Sequence, residues 1–285
     1  MHLHDYDTSI RHQALLVSTD RVSAPGLLDE VRELVFDVHS DLSAEVGQSL
    51  GVLVPGDVDF GPKEHLRLYS ISDVPESRDA GLTRFKICVK RVNYIDAYSG
   101  ERYEGRASNY LCDLKVGDSV EMSGPFGLPY ELPMDDEANL ILIAMGTGIA
   151  PFRAFVKKLY KERPGFKGEV RLFHGARSGL EMLYMNEEQD DFAQYYDKET
   201  FEAFKALSPR PHWEDPIAWD HALGERGAEL WRMMGEAHTR VYIAGQGSLE
   251  GTIDKVFSTI VGDPEKWSLR KAELKAGRRW TELYY

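Results

Sequence analysis

Asn139-Leu140-Ile141-Leu142-Ile143-Ala144-Met145-Gly146-Thr147-Gly148-Ile149-Ala150-Pro151-Phe152-Arg153 runs from an unbroken apolar stretch through a glycine turn into an amphipathic one. A strand that is apolar on both faces belongs in a parallel sheet with helices on either side, so residues 139–145 read as such a strand. Pro151 suits the first turn of a helix, and Phe152, Phe155, Val156 and Leu159 recur at the spacing of one buried helical face. Between the two, small residues let the backbone approach a phosphate closely, and the free N–H groups and dipole of the helix start favour a pyrophosphate. The spacing is not the GxGxxG of a generic dinucleotide-binding dehydrogenase, which disfavours that class.

Residues 170–173 and 240–243 read as further buried strands, and 227–234, 249–260 and 264–276 as helices. A second glycine turn, Ala244-Gly245-Gln246-Gly247-Ser248, lies between a strand and a helix. In an open parallel sheet such turns share one crevice at the carboxyl ends of the strands, although Ser248 fits a plain helix N-cap as well. Residues 187–220, rich in acids, aromatics and proline, read as short helices and a ligand-facing loop. Upstream the texture changes. From about residue 13 to 133, short alternating runs are cut by Gly, Pro, Asp and Ser, the pattern of an antiparallel barrel. Strands are expected at 14–17, 33–38, 49–54, 85–91 and 119–123, with 67–71 a sixth. The expected organisation is an antiparallel β-barrel domain over 1–134 and a parallel-sheet α/β domain over 135–285.

Composition limits what such a chain does. Its 285 residues allow two domains, and no apolar run approaches the ~18 residues of a membrane span. Met1-His2-Leu3-His4-Asp5 lacks the basic, apolar look of a secretory signal, so a cytoplasmic location is expected. Only two cysteines, Cys88 and Cys112, are present, too few for an all-cysteine iron–sulfur cluster. Electrons handled here need a separate organic cofactor. The net charge of −13 argues against nucleic acid or an anionic membrane as partner.

In Arg67-Leu68-Tyr69-Ser70, strand alternation sets Arg67 and Tyr69 on one side and Leu68 and Ser70 on the other. That tract follows Gly47-Gln48-Ser49-Leu50-Gly51-Val52 and precedes Cys88-Val89-Lys90-Arg91 and Ser108-Asn109-Tyr110-Leu111-Cys112-Asp113-Leu114. Further on come Gly124-Pro125-Phe126-Gly127, the turn at 146–152, Leu183-Tyr184 and Glu229-Leu230-Trp231. Together, in this order over roughly residues 30 to 285, they resemble the plant-type ferredoxin–NADP reductases. The resemblance implies a barrel that holds FAD and an α/β domain that holds NADP(H). It implies hydride exchange with the flavin and a one-electron partner, ferredoxin or flavodoxin.

By the same resemblance, Arg67 would pair with the FAD pyrophosphate, Tyr69 would lie against the isoalloxazine, and Ser70 would hydrogen-bond near its reactive nitrogen. A guanidinium grips phosphate through a planar fork, an aromatic ring covers a flat heterocycle, and a hydroxyl both donates and accepts. Leu68, Cys88, Val89 and Lys90 would line the cofactor, Tyr94 would stack on adenine, and Arg106, Ala107 and Ser108 would cradle the diphosphate. Thr147 would touch both ligands. Gly148, Ala176, Arg177, Ser208, Arg210, Gly245 and Gln246 would hold NADP. Tyr285 would be an aromatic gate over the flavin, displaced as the nicotinamide docks.

The chain also departs from the family. Ala244 stands where a cysteine is usual beside the reacting nicotinamide carbon, and Leu283 stands where a glutamate is usual. Either Glu282 reaches the site by a local shift, or Tyr284 is the stacking ring with Tyr285 appended. For NADP selectivity Ser208-Pro209-Arg210 offers a hydroxyl and a cation, with Trp219 as the candidate adenine-stacking ring, although Arg210 fits an ordinary surface charge as well. Ferredoxins are themselves acidic, so docking would need a local basic face, for which Lys90, Arg91, Lys271, Lys275, Arg278 and Arg279 are candidates. Two alternatives stand beside the reductase reading: a reductase component dedicated to an oxygenase or other acceptor, and a flavin-binding sensor module with little turnover.

Overall fold

The alternating runs of the first half form antiparallel strands because each can bury one face and wet the other. The computed structural model describes residues 6–39, 42–56, 61–127, 130–186, 189–196, 198–213 and 215–285. The strands are β1 (His12–Arg21), β2 (Val31–His39), β3 (Ser49–Pro55), β4 (Glu64–Ser70), β5 (Glu76–Arg78), β6 (Leu82–Lys90), β7 (Asn93–Ile95), β8 (Arg102–Glu104) and β9 (Ser119–Phe126). Seven of them join one sheet in the order β4-β3-β9-β1-β2-β6-β5, while β7 and β8 form a separate hairpin. A bridge between Ile71 and Ile87 links the end of β4 to β6 and curls the sheet into a barrel. Leu34, Phe36 and Val38 of β2, Leu50, Val52 and Val54 of β3, and Phe85, Ile87 and Val89 of β6 fill its core. Their spacing of two is the inward face of each strand. Helix α1 (Arg106–Asp113) adds Ala107 and Leu111 to that core. The sequence pattern does not single it out, because eight residues with two buried aliphatics carry little period.

In the second half, β10 (Leu140–Met145), β11 (Val170–Ala176), β12 (Phe201–Leu207), β13 (Arg240–Gly245) and β14 (Trp280–Tyr284) form a parallel sheet in the order β12-β11-β10-β13-β14. The helices are α2 (Ile149–Glu162), α3 (Trp219–Gly224), α4 (Gly227–Gly235), α5 (Ser248–Val261) and α6 (Pro264–Ala276). Ile141 and Ile143 of β10 and Val241 and Ile243 of β13 pack with α4, α5 and α6 on one face. On the other face, Phe152 and Phe155 of α2 meet Tyr130 and Tyr242 edge to face. Both faces are covered, which is why these strands read as continuous apolar runs. From central β10 the chain winds outward to β11 and β12, then returns to place β13 on the other side. The order therefore reverses between β10 and β13, where such sheets open a ligand crevice.

The short strands β5, β7 and β8 of the first unit and two strands of the parallel sheet correct the sequence reading. The stretch 187–220 contains β12 as well as short helical turns; its residues 187, 188, 197 and 214 lie outside the described set, as do the first five of the chain. The C-terminal residues form β14 as an edge strand. The chain divides into two units, Met1–Leu128 and Pro129–Tyr285, a few residues before 134. Residues just after that point join the second unit: Tyr130 donates to the carbonyl of Ile243, and Glu131 accepts from Tyr242.

Candidate functional site

The crevice of the second unit is built from backbone. Gly146, Thr147 and Gly148 make a tight helical turn between β10 and α2, and Gly146 adopts φ 57. Gly148 lies so close to β13 that a Cβ there would stand 2.2 Å from the Ala244 carbonyl oxygen and 3.0 Å from the Gly245 nitrogen. The two glycine turns are thus in contact, and only glycine permits it. Gly148 is the N-cap of α2 and Gly247 that of α5, and neither helix has a side-chain cap; the Ile149 N–H closes back onto the Gly146 carbonyl and the Leu249 N–H onto that of Gln246. Ser248 is not a cap. By contrast, α6 is closed by the Asp263 carboxylate, which accepts from the N–H groups of Glu265 and Lys266. Gln246 is exposed beside the turn, while Ala244 and Gly245 are buried.

Sequence reasoning missed His174. Fully buried on β11, it donates from Nε2 to the Gly146 carbonyl at 3.3 Å, leaving its Nδ1 without a partner. Burial holds its pKa down at about 4, so it is neutral near pH 7. Because a trans peptide points its C=O and N–H in opposite directions, a Gly146 carbonyl drawn towards His174 turns the Thr147 N–H away from it. No sequence signal marks a single histidine inside an apolar strand.

At the far ends of β11 and β12 the other nucleotide candidates gather. Ala176 is buried and Arg177 exposed, and the Ser208 N–H donates to the Arg177 carbonyl at 3.2 Å. The Ser208 hydroxyl donates to the Asp215 carbonyl at 2.7 Å, and Arg210 Nε meets the Asp215 carboxylate at 2.7 Å. Trp219 is not a stacking ring, because it is buried in the core against Gly175, where a Cβ would lie 2.2 Å from its indole. The exposed aromatic here is Trp213, with the Arg210 guanidinium 5.4 Å from its ring centre. A tryptophan in a proline-rich loop was the signal available.

The register of β14 separates the two terminal tyrosines. Trp280, Glu282 and Tyr284 point to the α5–α6 face: Trp280 packs on Phe257 and Trp267, and Glu282 pairs with Lys271 at 3.2 Å and Lys275 at 2.8 Å. Burial alone would raise the Glu282 pKa, but the two lysines outweigh it and hold it low. Burial, then the charge of Glu282, pushes the Tyr284 phenol far up. Tyr285 turns the other way. Its hydroxyl stands 2.7 Å from Thr147 Oγ1 and donates to the Met145 carbonyl at 3.4 Å, while its N–H donates to Gly245. Glu282 and Tyr285 thus lie on opposite faces of one strand, and Leu283 lies opposite Ala244 in the pairing.

In the barrel unit, Tyr69 packs against the core and Leu68 lies on the other face beside Gly51, in the expected alternation. Ser70 pairs with Ser49, their hydroxyls 3.5 Å apart. Helix α1 packs on β3, β4 and β6, and so brings Arg106 near Arg67 and the end of β6, where Cys88, Val89 and Lys90 lie. His65, missed by sequence reasoning, has its pKa lowered by burial and then by the charges of Arg67 and Arg106. The cap of α1 is Gly105, without a side-chain bond. Ser108 is occupied locally, accepting from the Val92 N–H and donating to the Gly105 carbonyl. Tyr94, exposed on its hairpin, stacks on Tyr103 across the strand pair, 5.4 Å centre to centre and 19° from parallel. Sequence reasoning missed Tyr103 as well, because the hairpin register that sets it opposite Tyr94 is centred between Tyr98 and Ser99 and no short turn motif marks it.

Four of the six cations proposed for a docking face, Lys90, Arg91, Lys271 and Lys275, are paired with carboxylates. Lys90 pairs with Asp29, Arg91 with Glu30 and Asp113, Lys271 with Asp254 and Glu282, and Lys275 with Glu282. Arg279 donates to the Glu236 carbonyl, and the Arg278 carbonyl accepts from Arg240. Among the described residues no group of three or more His, Cys, Asp or Glu side chains could hold a metal ion, and no helix is long and apolar enough to cross a membrane.

Residues 142–255 match the family described as the oxidoreductase NAD-binding domain. The ferredoxin–NADP reductase of Spirulina sp. is 34% identical over 93% of this chain and 92% of its own length. That of Synechocystis sp. is 33% identical over 90% of this chain, which spans 63% of that relative. The solved ferredoxin-NADP+ reductase from Plasmodium falciparum with 2'P-AMP superposes with a TM-score of 0.72 over 98% of both chains, at 21% identity, a likeness of fold.

Proposed function

The chain belongs to the ferredoxin–NADP reductase family and is an oxidoreductase, and from that premise we propose that it carries electrons between NADP(H) and a ferredoxin, with FAD as resident cofactor. The observation that carries the reading is the contact of the two glycine turns at the reversal of strand order, beside two helix starts without side-chain caps. Such a place suits a dinucleotide pyrophosphate.

The barrel unit fits FAD on its own observations. Two guanidiniums, Arg67 and Arg106, bear on one small region beside the open first turn of α1, a donor set suited to a diphosphate. Tyr94 presents an exposed ring for adenine, and Tyr103 backs its other face. When bound, FAD supplies the conversion between two-electron hydride chemistry and single-electron transfer.

The chain's own residues bind, orient and gate. Tyr69, rigid against the core, and Leu68 limit where the ring system lies, and Ser70 offers a hydroxyl to its reactive nitrogen. Tyr285 bonds to Thr147 and so covers the turn that the nucleotide must reach. Swinging the ring aside breaks that bond and frees the Thr147 hydroxyl for the incoming ligand. Ala244 and Leu283 leave these positions of β13 and β14 without the sulfur and the carboxylate usual in the family. Flavodoxin is a second acceptor of the same one-electron type.

One observation favours a second reading, a reductase component serving another acceptor: four of the six basic residues expected to dock an acidic ferredoxin are paired with carboxylates within the chain, whose net charge is −13. An absorption spectrum followed by anaerobic titration with NADPH tests the core proposal. A flavin spectrum that bleaches with one equivalent is expected, and a colourless or unreducible protein would sink it. Cytochrome c reduction with and without added ferredoxin then separates the acceptors.

A further inference from the structure

We infer that Asp215 is a specificity-determining residue that weakens the demand for a 2′-phosphate, so that this enzyme uses NADH as well as NADPH. The inference rests on the reading that Ser208 and Arg210 meet the 2′ position of the nucleotide. In the structure both groups are engaged by Asp215: its carboxylate by Arg210 Nε at 2.7 Å, its carbonyl by the Ser208 hydroxyl at 2.7 Å. The neighbouring cation is matched too, because Arg177 Nε lies 3.4 Å from the Glu181 carboxylate. Its carbonyl accepts from the Ser208 N–H, which ties the two ends together. Each guanidinium beside Ser208 therefore has a carboxylate of its own.

That arrangement treats the two nucleotides differently. A 2′-phosphate must draw Arg210 away from Asp215 and then sit beside an uncompensated carboxylate, a repulsive element against the phosphorylated ligand. A ribose 2′-hydroxyl meets the reverse situation, since a carboxylate accepts its hydrogen bond, the role acidic residues play in NAD sites. Arg210 cannot simply leave. It lies over the Trp213 ring, and its own carbonyl accepts from the Trp213 N–H, so it stays within reach of Asp215. The Arg210 side chain is 60% exposed and that of Asp215 24%, so the pair is screened and its influence modest.

The test is kcat/KM for NADPH and NADH with ferricyanide as acceptor, in the holoenzyme and in Asp215→Asn, Asp215→Ser and Arg210→Ala, with thermal melts to confirm folding. Either Asp215 variant should raise the NADPH/NADH ratio roughly fivefold to tenfold, through a lower KM for NADPH and a higher KM for NADH. Arg210→Ala should lower the ratio by harming NADPH alone. If Arg210→Ala harms NADPH while both Asp215 variants keep the wild-type ratio, the role of Asp215 is overturned and the placement of the 2′ position stands. If Arg210→Ala leaves both nucleotides unchanged, the placement itself falls and the inference with it.

Discussion

Arg67 and Arg106 in the barrel unit turn their charge on the same histidine, whereas Arg177 and Arg210 in the second unit are each matched by a carboxylate. On the proposed reading, the barrel unit directs the charge of Arg67 and Arg106 to one place, where a bound diphosphate would gain from both. The second unit keeps its charge balanced and takes its ligand through backbone fit, with Gly148 seated against Ala244. The difference corresponds to residence. A cofactor that stays through many turnovers gains from converging cations, and a dinucleotide that must leave each cycle gains from cations already matched by carboxylates.

Gly148 should break the contrast most sharply. A methyl group there must push the Ala244 carbonyl, so Gly148→Ala should destabilise by about 3 kcal/mol and lower Tm by roughly 6 to 12 °C. NADP+ binding should fall with it while flavin retention holds; an unchanged melt would show that the turn is not set by that contact. Next in size, Arg67→Ala should weaken FAD retention by about 2 kcal/mol, tenfold to a hundredfold, with NADP+ affinity intact. Release of fluorescent flavin on dilution measures it, and equal losses for both ligands would erase the distinction drawn between the units. Smallest is His174. Replacing it with leucine removes one donor to the Gly146 carbonyl and should weaken NADP+ binding roughly fivefold, about 1 kcal/mol, with glutamine restoring part of the loss. Equal affinities in the two variants would leave His174 a packing residue only.

His174 also makes stability depend on pH. Its folded pKa of about 4 lies below the ordinary histidine value of 6.5, so between these the unfolded chain takes up a proton that the folded chain refuses. Its contribution is full above pH 6.5 and diminishes as acid is added towards pH 4. The leucine variant should lose that part of the acid sensitivity in urea melts.

Legibility followed burial. Helix α6 spans the 264–276 expected of it, because Asp263-Pro264 is a strong start and Gly277 follows its last residue. Central strand β10 announced itself by an unbroken apolar run and β11 and β13 by shorter ones, and the glycine turn after β10 carried its own chemistry. The two strands that escaped, β12 and β14, are the edges of that sheet. An edge strand is half wet, so Phe201-Glu202-Ala203-Phe204-Lys205 and Trp280-Thr281-Glu282 look like loop or tail until a partner is placed beside them. Among candidate site residues, those with a special backbone or a charged tract could be found. His65, His174, Tyr103 and Asp215 could not, because each acquires meaning only from a neighbour distant in sequence or across a turn. Trp219 misled for the same reason: nothing in one dimension separates a ring packed on Gly175 from one that faces solvent.

The alternation of β14 makes chain length itself a specification. Trp280, Glu282 and Tyr284 share one parity and Thr281, Leu283 and Tyr285 the other, so the Gly277–Arg279 turn acts as a counter that decides which set meets α6. Deleting one residue there would invert the code, expelling the indole from its aromatic nest and turning the anion that Lys271 and Lys275 hold towards Met145 and Thr147. An insertion of two would preserve the parity, and tolerance of two but not one would be its signature.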